Sequence, residues 1–187
     1  MTGPRVRTDI VDVYLLRPSA RSHDHNAHHN GDQTHDLLLL RRARAPLAGQ
    51  WHPVMGHVEP GERAMQTALR EAGEETGLTP DAISAWFQLE QTFPFFLADR
   101  DEVHLSPRFA VVTDEGFEPA LNNEHDAHRW VPVDDAENSL LWPGQRHAIR
   151  EIRSCILPGG PTADSLRLPR PADPTHDAPS GPPPAKG

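Results

Sequence analysis

The sequence has few features of an oxidising compartment or of a membrane. It has one cysteine, Cys155, among 187 residues, so an internal disulfide is excluded, which fits a reducing cytoplasm. The N-terminal segment MTGPRVRTDIVDVYLL has basic residues, but Asp9 and Asp12 interrupt its apolar stretch, which is too short to span a membrane. We therefore expect a soluble, cytoplasmic protein.

Positive charge is also scarce. Lys and Arg number 18 against 27 Asp and Glu, so the formal net charge is -9. An acidic surface disfavours non-specific binding to DNA, RNA or an anionic membrane. It leaves open the binding of a single nucleotide in a site where charges are arranged locally.

Two segments lack enough apolar residues to contribute to a core. Residues 158–187 are rich in proline, and such a stretch buries too little surface to offset its ordering entropy, so we expect a disordered tail or, alternatively, a proline-rich ligand. Residues 19–36 contain five histidines at spacings that match no standard zinc pattern, so we expect a polar loop, with a transition-metal site as the alternative. One domain, residues 1–157 with this insert, remains.

The rest of the chain predicts an α/β fold. Short apolar runs bounded by polar turns indicate strands at residues 9–17, 36–43, 83–96, 105–115 and 128–136. Pro94 interrupts the third of these runs. Apolar residues at helical spacing predict two helices, at residues 62–76 and 144–157. This order predicts a mixed β-sheet between covering helices.

The first predicted helix carries an unusual group of charges. Its core stripe is Met65, Ala68, Leu69 and Ala72, whereas Glu71, Glu74 and Glu75 share a different face. Like charges at these spacings cost about 0.2–0.5 kcal/mol per pair, and carboxylates in the last turn oppose the helix dipole. A solvated acidic face is one interpretation. Binding of Mg²⁺ is the other, because this ion prefers oxygen ligands and joins carboxylates to substrate phosphates.

The loop before the helix favours the metal interpretation. The segment GHVEPGE, residues 56–62, has glycines and a proline suited to a tight turn, and glycine lets the backbone approach a metal or a phosphate closely. A loop that faces carboxylates suits metal-assisted attack of water on a phosphate.

The segment GHVEPGERAMQTALREAGEETGL, residues 56–78, resembles the signature of the Nudix hydrolase family. The positions in register are Gly56, Glu62, Arg70, Glu71, Glu74, Glu75, Gly77 and Leu78. The resemblance covers roughly residues 8–157 and implies an α/β/α sandwich around a mixed sheet. Met55 departs from the pattern, because many members have glycine at the position just before the first glycine of the signature, which is Gly56 here.

The resemblance implies a role for each matching residue. Glu71, Glu74, Glu75 and a later glutamate, Glu124, would bind Mg²⁺ or Mn²⁺ together with the Met55 carbonyl. The catalytic group would be Glu71, Arg70, Glu74 and Glu124, with Glu71 or Glu124 as the base. Gly56, Glu62 and Gly77 would organise the loop and helix. A surface carboxylate is the alternative for Glu124.

The substrate is predicted less sharply. The run Trp142, Arg146, Ala148 and Ile149 resembles the subgroup that acts on dihydroneopterin triphosphate and nucleoside triphosphates. Trp51, Arg108 and Trp142 are candidate substrate-binding residues, with packing or a strand-surface charge as the alternatives.

We expect a pyrophosphohydrolase of nucleoside or pterin triphosphates. The alternatives are the same hydrolysis of ADP-ribose, a dinucleoside polyphosphate or a sugar nucleotide, or a regulatory module that binds nucleotide without hydrolysis. The expected partner is a small nucleoside diphosphate derivative, with no nucleic-acid polymer and no membrane. A homodimer is possible, because family members are often dimers.

Overall fold

A computed structural model describes residues 3–19 and 34–171. The strands are β1 (Arg5–Arg7), β2 (Ile10–Pro18), β3 (His35–Arg42), β4 (Trp51–His52), β5 (Val54–His57), β6 (Ile83–Gln88), β7 (Phe95–Leu97), β8 (Glu102–His104), β9 (Arg108–Thr113) and β10 (His125–Pro132). The α-helices are α1 (Ala64–Thr76), α2 (Pro143–Glu151) and α3 (Pro161–Leu166).

The main sheet is mixed, as the sequence predicts. Its strand order is β10-β3-β2-β9-β6, with β4 added to β3 and β5 added to β2. Strands β2 and β9 run parallel, whereas the other pairs in this sheet are antiparallel. The residues of β2 alternate between two buried faces, so both faces of the sheet need a covering layer.

Helices cover both faces, which confirms the α/β/α sandwich. Val11, Val13 and Leu15 of β2 share a core with Ala68 and Ala72 of α1. The opposite face packs against α2, its π-helical continuation Ile152–Ile156, and α3. The predicted stripe of α1 is confirmed, because Met65 and Leu69 also pack on the first core.

A second, smaller sheet was missed by the sequence analysis. Its order is β1-β8-β7, with β1 parallel to β8 and β7 antiparallel to β8. The predicted single strand at residues 83–96 is wrong, because β6 ends at Gln88 and β7 belongs to the other sheet. Pro94 lies just before β7, where its missing N–H removes no ladder bond.

The ends of α1 follow local chemistry. Gly77 ends the helix in the left-handed region (φ 71°) and donates its N–H to the Gly73 carbonyl at 2.8 Å, as expected for a glycine stop. The helix starts at Ala64 rather than at the predicted Glu62. Glu62 instead accepts the Glu59 N–H at 3.0 Å, so its carboxylate closes the preceding turn.

The prediction of a disordered tail from residue 158 is wrong for residues 158–171. Helix α3 buries Ala163 and Leu166 in the core beside α2, and the Leu168 N–H donates to the Trp86 carbonyl at 2.8 Å. Residues 158–171 are therefore held by Ala163 and Leu166, which are spaced i, i+3, and by a bridge from Arg167 to Phe87 at the edge of β6. Residues 172–187 and most of the histidine-rich segment, residues 20–33, lie outside the described residues. Across the described part of the chain, no helix has the length and apolar character needed to span a membrane.

Candidate active site

A cleft of about 400 Å³ lies where β5 leads into α1. Its walls come from β5, the loop that follows it, one face of α1, and the residues Arg42 and Glu124 near the ends of β3 and β10. Four glutamates and two arginines line it, so its charged lining has an excess of negative charge. The tight turn predicted from GHVEPGE forms one wall.

The three glutamates of α1 are not equivalent. Glu75 is 3% exposed, Glu71 is half-buried, and both line the cleft. The Glu74 side chain is 57% exposed and does not line it. The Arg70 guanidinium donates to both Glu71 and Glu74, at 2.9 Å and 3.3 Å, so Glu74 lies beside Glu71, and its role as a metal ligand stays a prediction. The core packing rotates α1 toward Glu75 and leaves Glu74, one residue earlier, facing solvent.

Gly56 allows β5 to lie directly against Glu71. A β-carbon at Gly56 would lie 1.9 Å from Glu71 Cδ and 2.0 Å from Glu71 Oε1, well inside any tolerated contact. Any larger residue at position 56 would therefore displace the Glu71 side chain from its present position, and no positive φ is involved. Burial raises the pKa of Glu71, and the charges of Glu74 and Glu124 act in the same direction.

Glu75 is the most perturbed group in the cleft. Burial raises its pKa to about 9, and the negative charges of Glu71 and Glu124 add to this effect. The backbone N–H of Met55 partly offsets the increase. The Glu75 Oε2 atom is buried and has no hydrogen-bond partner. An acceptor in this position is stabilised by a cation.

Arg70 ties the loop to the helix. Its guanidinium donates to Glu62 Oε1 at 2.8 Å, to Glu71 Oε1 at 2.9 Å and to the His57 carbonyl at 2.9 Å. The hydrogen bonds from Arg70 lower the pKa of Glu62 to about 2. Arg70 and Glu62 therefore have the organising positions that the family resemblance implies.

Glu124 lies on the opposite wall, at the start of β10. Its carbonyl accepts the Ala43 N–H at 2.8 Å, and its own N–H donates to Asn122 Oδ1 at 3.0 Å. His125 Nδ1 lies 3.3 Å from the same oxygen, and the His125 ring packs 5.1 Å from that of His52, just before β5. A register irregularity after His125 breaks the β10–β3 ladder. Irregularities of this kind redirect a neighbouring side chain.

The donor chemistry of the cleft fits a divalent metal. Glu71, Glu75 and Glu124 provide hard oxygen atoms, and the unpartnered Glu75 Oε2 needs positive charge. In residues 3–19 and 34–171, however, no three His, Cys, Asp or Glu side chains are already arranged around a metal position. The negative charges of Glu71 and Glu124 disfavour ionisation of Glu75, and Arg70 donates a hydrogen bond to Glu71.

The three predicted substrate-binding residues lie elsewhere. Arg108 is 4% exposed, and its Nε lies 3.4 Å from Asp12 Oδ2, so it is neither a phosphate ligand in the cleft nor a strand-surface charge. The Arg129 guanidinium lies over the Trp51 ring, with its Cζ atom 4.2 Å from the ring centroid. Trp142 is exposed at the start of α2 and does not line the cleft. Strand register and packing determine these positions, and packing was the alternative expected for the two tryptophans.

The cleft residues that were not predicted include Arg42, His57 and Glu59. Arg42 ends β3 and places positive charge near Glu75, and His57 ends β5 on the rim of the cleft. Arg42 follows the apolar run LLLL and could have been noticed as a charge at a strand end. His57 lies within the signature segment, residues 56–78, but at a position where the family pattern accepts any residue.

The sequence matches the family model for the NUDIX domain over residues 28–152. This match covers well over half of the chain, so the protein belongs to the Nudix family and is a hydrolase of phosphoanhydrides. Nudix hydrolases generally use divalent metal cations.

Among its relatives are two asymmetrical bis(5'-nucleosyl)-tetraphosphatases. The Sus scrofa protein is 36% identical over 103 residues, which cover 54% of this chain and 67% of that protein. The Mus musculus protein is 33% identical over 105 residues, which cover 56% of this chain and 69% of that protein.

Solved structures share the fold. The C. elegans Ap4A hydrolase in a binary complex aligns with a TM-score of 0.63 at 19% identity, over 79% of this chain and 96% of that chain. The E. coli dihydroneopterin triphosphate pyrophosphohydrolase aligns with a TM-score of 0.59 at 20% identity, over 81% of this chain and 97% of that chain. At these identities the likeness concerns the fold alone.

Proposed function

We propose that the protein is a hydrolase of nucleoside polyphosphates that depends on Mg²⁺ or Mn²⁺ and acts in the cleft between β5 and α1. The observation that carries this proposal is Glu75, a buried carboxylate with an unpartnered oxygen beside the like charges of Glu71 and Glu124. Such an arrangement disfavours the ionised form of Glu75 unless a cation compensates its charge.

Each group has a defined part in this proposal. Glu71, Glu75 and Glu124 would hold the metal, and Glu74 stays a prediction as a further ligand from solvent. A bound divalent cation supplies charge neutralisation for the phosphates and acidifies a water molecule. Arg70 keeps Glu71 and the His57 carbonyl in place, and Gly56 leaves room for the Glu71 carboxylate.

A carboxylate in the cleft would remove the proton from the attacking water. Glu124 is one candidate base, because its backbone is fixed by Ala43 and Asn122 while its side chain faces the cleft. Glu71 is the other candidate. The water oxygen forms a new bond to one phosphorus, the bridging phosphorus–oxygen bond breaks, and the leaving oxygen takes a proton.

The lead substrate is a dinucleoside tetraphosphate, cut asymmetrically into a nucleoside triphosphate and a nucleoside monophosphate. The two mammalian relatives carry that activity in their names and align with 54% and 56% of this chain. A nucleoside or pterin triphosphate is the second candidate, from the run at Trp142 to Ile149. Packing accounts for much of this run, since Ala148 and Ile149 are fully buried and Arg146 donates to the Leu140 carbonyl at 2.9 Å.

A substrate panel with Mg²⁺ or Mn²⁺ tests the proposal. The panel contains diadenosine tetraphosphate, dATP, dihydroneopterin triphosphate and ADP-ribose, with products separated by chromatography. We expect ATP and AMP from the first compound, and loss of this reaction in EDTA and in Glu75→Gln. Binding without turnover on every compound would contradict the proposal and support the regulatory module. The cytoplasmic location and the homodimer stay predictions.

A further inference from the structure

A second cleft of about 490 Å³ adjoins the candidate active site. The two clefts share His57, whose carbonyl Arg70 holds at 2.9 Å. The second cleft is formed mainly by the small sheet and the turn between β7 and β8. We call it the arginine cleft, because Arg5, Arg7 and Arg100 line it.

The arginine cleft differs in charge from the active-site cleft. Its three arginines are balanced by three carboxylates, Asp9, Asp99 and Glu102, instead of being outnumbered. Arg5 Nη2 lies 2.9 Å from Glu102 Oε1, yet 70% of the Arg5 side chain remains exposed. A guanidinium has five N–H donors, and these pairs occupy only one or two of them. Donors therefore remain for phosphate oxygens, which arginine binds in a bidentate way.

Its floor holds a buried polar atom without a partner. His104 is 4% exposed, and its Nε2 lies 3.1 Å from Glu102 Oε2, whereas its Nδ1 has no hydrogen-bond partner. The ring stacks on Phe95 with 5.0 Å between centroids and 9° between planes. Phe95 pairs with His104 across β7 and β8 and is partly exposed, so an exposed aromatic ring lies next to this lining residue of the cleft.

We propose that the arginine cleft binds the distal nucleotide of a dinucleoside polyphosphate while the near phosphates occupy the active-site cleft. Arg5, Arg7 and Arg100 would contact the distal phosphates, and the Phe95–His104 pair would meet the distal base, because aromatic side chains stack on bases. A polyphosphate chain that crosses His57 reaches both clefts. This inference rests on the proposed function, since it assigns the second half of the lead substrate.

The test compares three substrate-like compounds on exposed-residue variants. Binding of a methylene-bridged, non-hydrolysable analogue of diadenosine tetraphosphate is measured calorimetrically with Mg²⁺, beside AMP and adenosine tetraphosphate. The double variant Arg5→Gln/Arg7→Gln removes two arginines, and Phe95→Leu removes the aromatic ring. Arg44→Gln is the matched control, because Arg44 is an exposed arginine that lines neither cleft.

We expect the double variant to weaken binding of the dinucleotide analogue and of adenosine tetraphosphate by about tenfold or more, with AMP unaffected. Phe95→Leu should weaken only the dinucleotide analogue, by about fivefold. No binding by the wild type, equal affinities in all variants, or an equal loss for AMP would overturn the inference. Because the analogue is not cleaved, the measured affinities do not depend on whether the protein hydrolyses the dinucleotide. Hydrolysis with unchanged affinities would leave the function intact and remove this subsite.

Discussion

Two buried carboxylates on opposite faces of the main sheet show how different a structural charge and a candidate functional charge are. Asp12 on β2 lies 3.4 Å from the guanidinium of Arg108, and burial raises its pKa to about 6. Glu75 on α1 has other carboxylates as neighbours, and its pKa rises to about 9. Burial acts on both groups, but Asp12 has a guanidinium within 3.4 Å, whereas the positive charge of Arg42 offsets only part of the rise at Glu75. The weaker counter-charge at Glu75 marks a candidate site for an external cation.

The largest expected effect is the loss of hydrolysis when the Glu75 carboxylate is removed. Glu75→Gln should lower metal-dependent hydrolysis about a thousandfold, equivalent to about 4 kcal/mol, because a charged metal ligand is lost. Chemical unfolding in EDTA should show stability equal to or above that of the wild type, because a buried carboxylate between like charges is removed. Steady-state kinetics and urea unfolding measure both effects. Wild-type turnover in this variant would refute the role of Glu75.

The next effect concerns Asp12. Asp12→Asn should destabilise the fold by about 3 kcal/mol, because it leaves the Arg108 charge buried without its partner. Turnover per folded molecule should stay near that of the wild type. Urea unfolding and active-site-normalised kinetics measure the two quantities. Normal stability with lost turnover in this variant would show that Asp12 has a catalytic role instead of a structural one.

Two glycines sharpen the same contrast. A β-carbon at Gly56 would meet Glu71, whereas a β-carbon at Gly144 would lie 2.7 Å from Arg108 Nη2. Gly56→Ala should lower turnover about a hundredfold by displacing Glu71, whereas Gly144→Ala should cost about 1–3 kcal/mol of stability through overpacking. Parallel kinetics and thermal unfolding compare the variants. The distinction fails if both variants lose turnover and stability in the same proportion.

The smallest effect is a pH dependence at Glu62. Its folded pKa of about 2 lies below its ordinary value of 4.5, so its contribution to stability is full above pH 4.5 and is lost as pH falls toward 2. The wild type should therefore lose stability relative to Glu62→Gln across this range. Urea unfolding at a series of pH values measures the difference between the two proteins. A constant difference would show that the Arg70–Glu62 pair contributes nothing through this titration.

Local patterns predicted the catalytic helix well. The core stripe of α1, its glycine stop and the sheet class follow from spacing and from residue conformational preference, which depend little on distant contacts. Consecutive helix residues always lie about 100° apart, so the rotation of α1 about its axis decides that Glu75 is buried and Glu74 exposed, and this rotation depends on how the helix packs. The sequence could not provide that rotation.

Long-range register explains the remaining errors. Arg108 meets Asp12 because β2 and β9 pair in a particular parallel register, and no local pattern contains that information. The segment 161–168 packs on β6 although its proline content suggests disorder, because a free strand edge and a small apolar groove lie within reach. The small sheet that forms the arginine cleft pairs Arg5 with Glu102, 97 residues later in the chain.

Binding of Mn²⁺ to the wild type and to Glu75→Gln, measured by electron paramagnetic resonance without substrate, tests the central claim most directly. The account predicts saturable binding to the wild type and an affinity at least about tenfold lower in the variant, because Glu75 presents a buried oxygen without a partner in the cleft. Equal Mn²⁺ affinity in the two proteins, or no binding to the wild type, would contradict it.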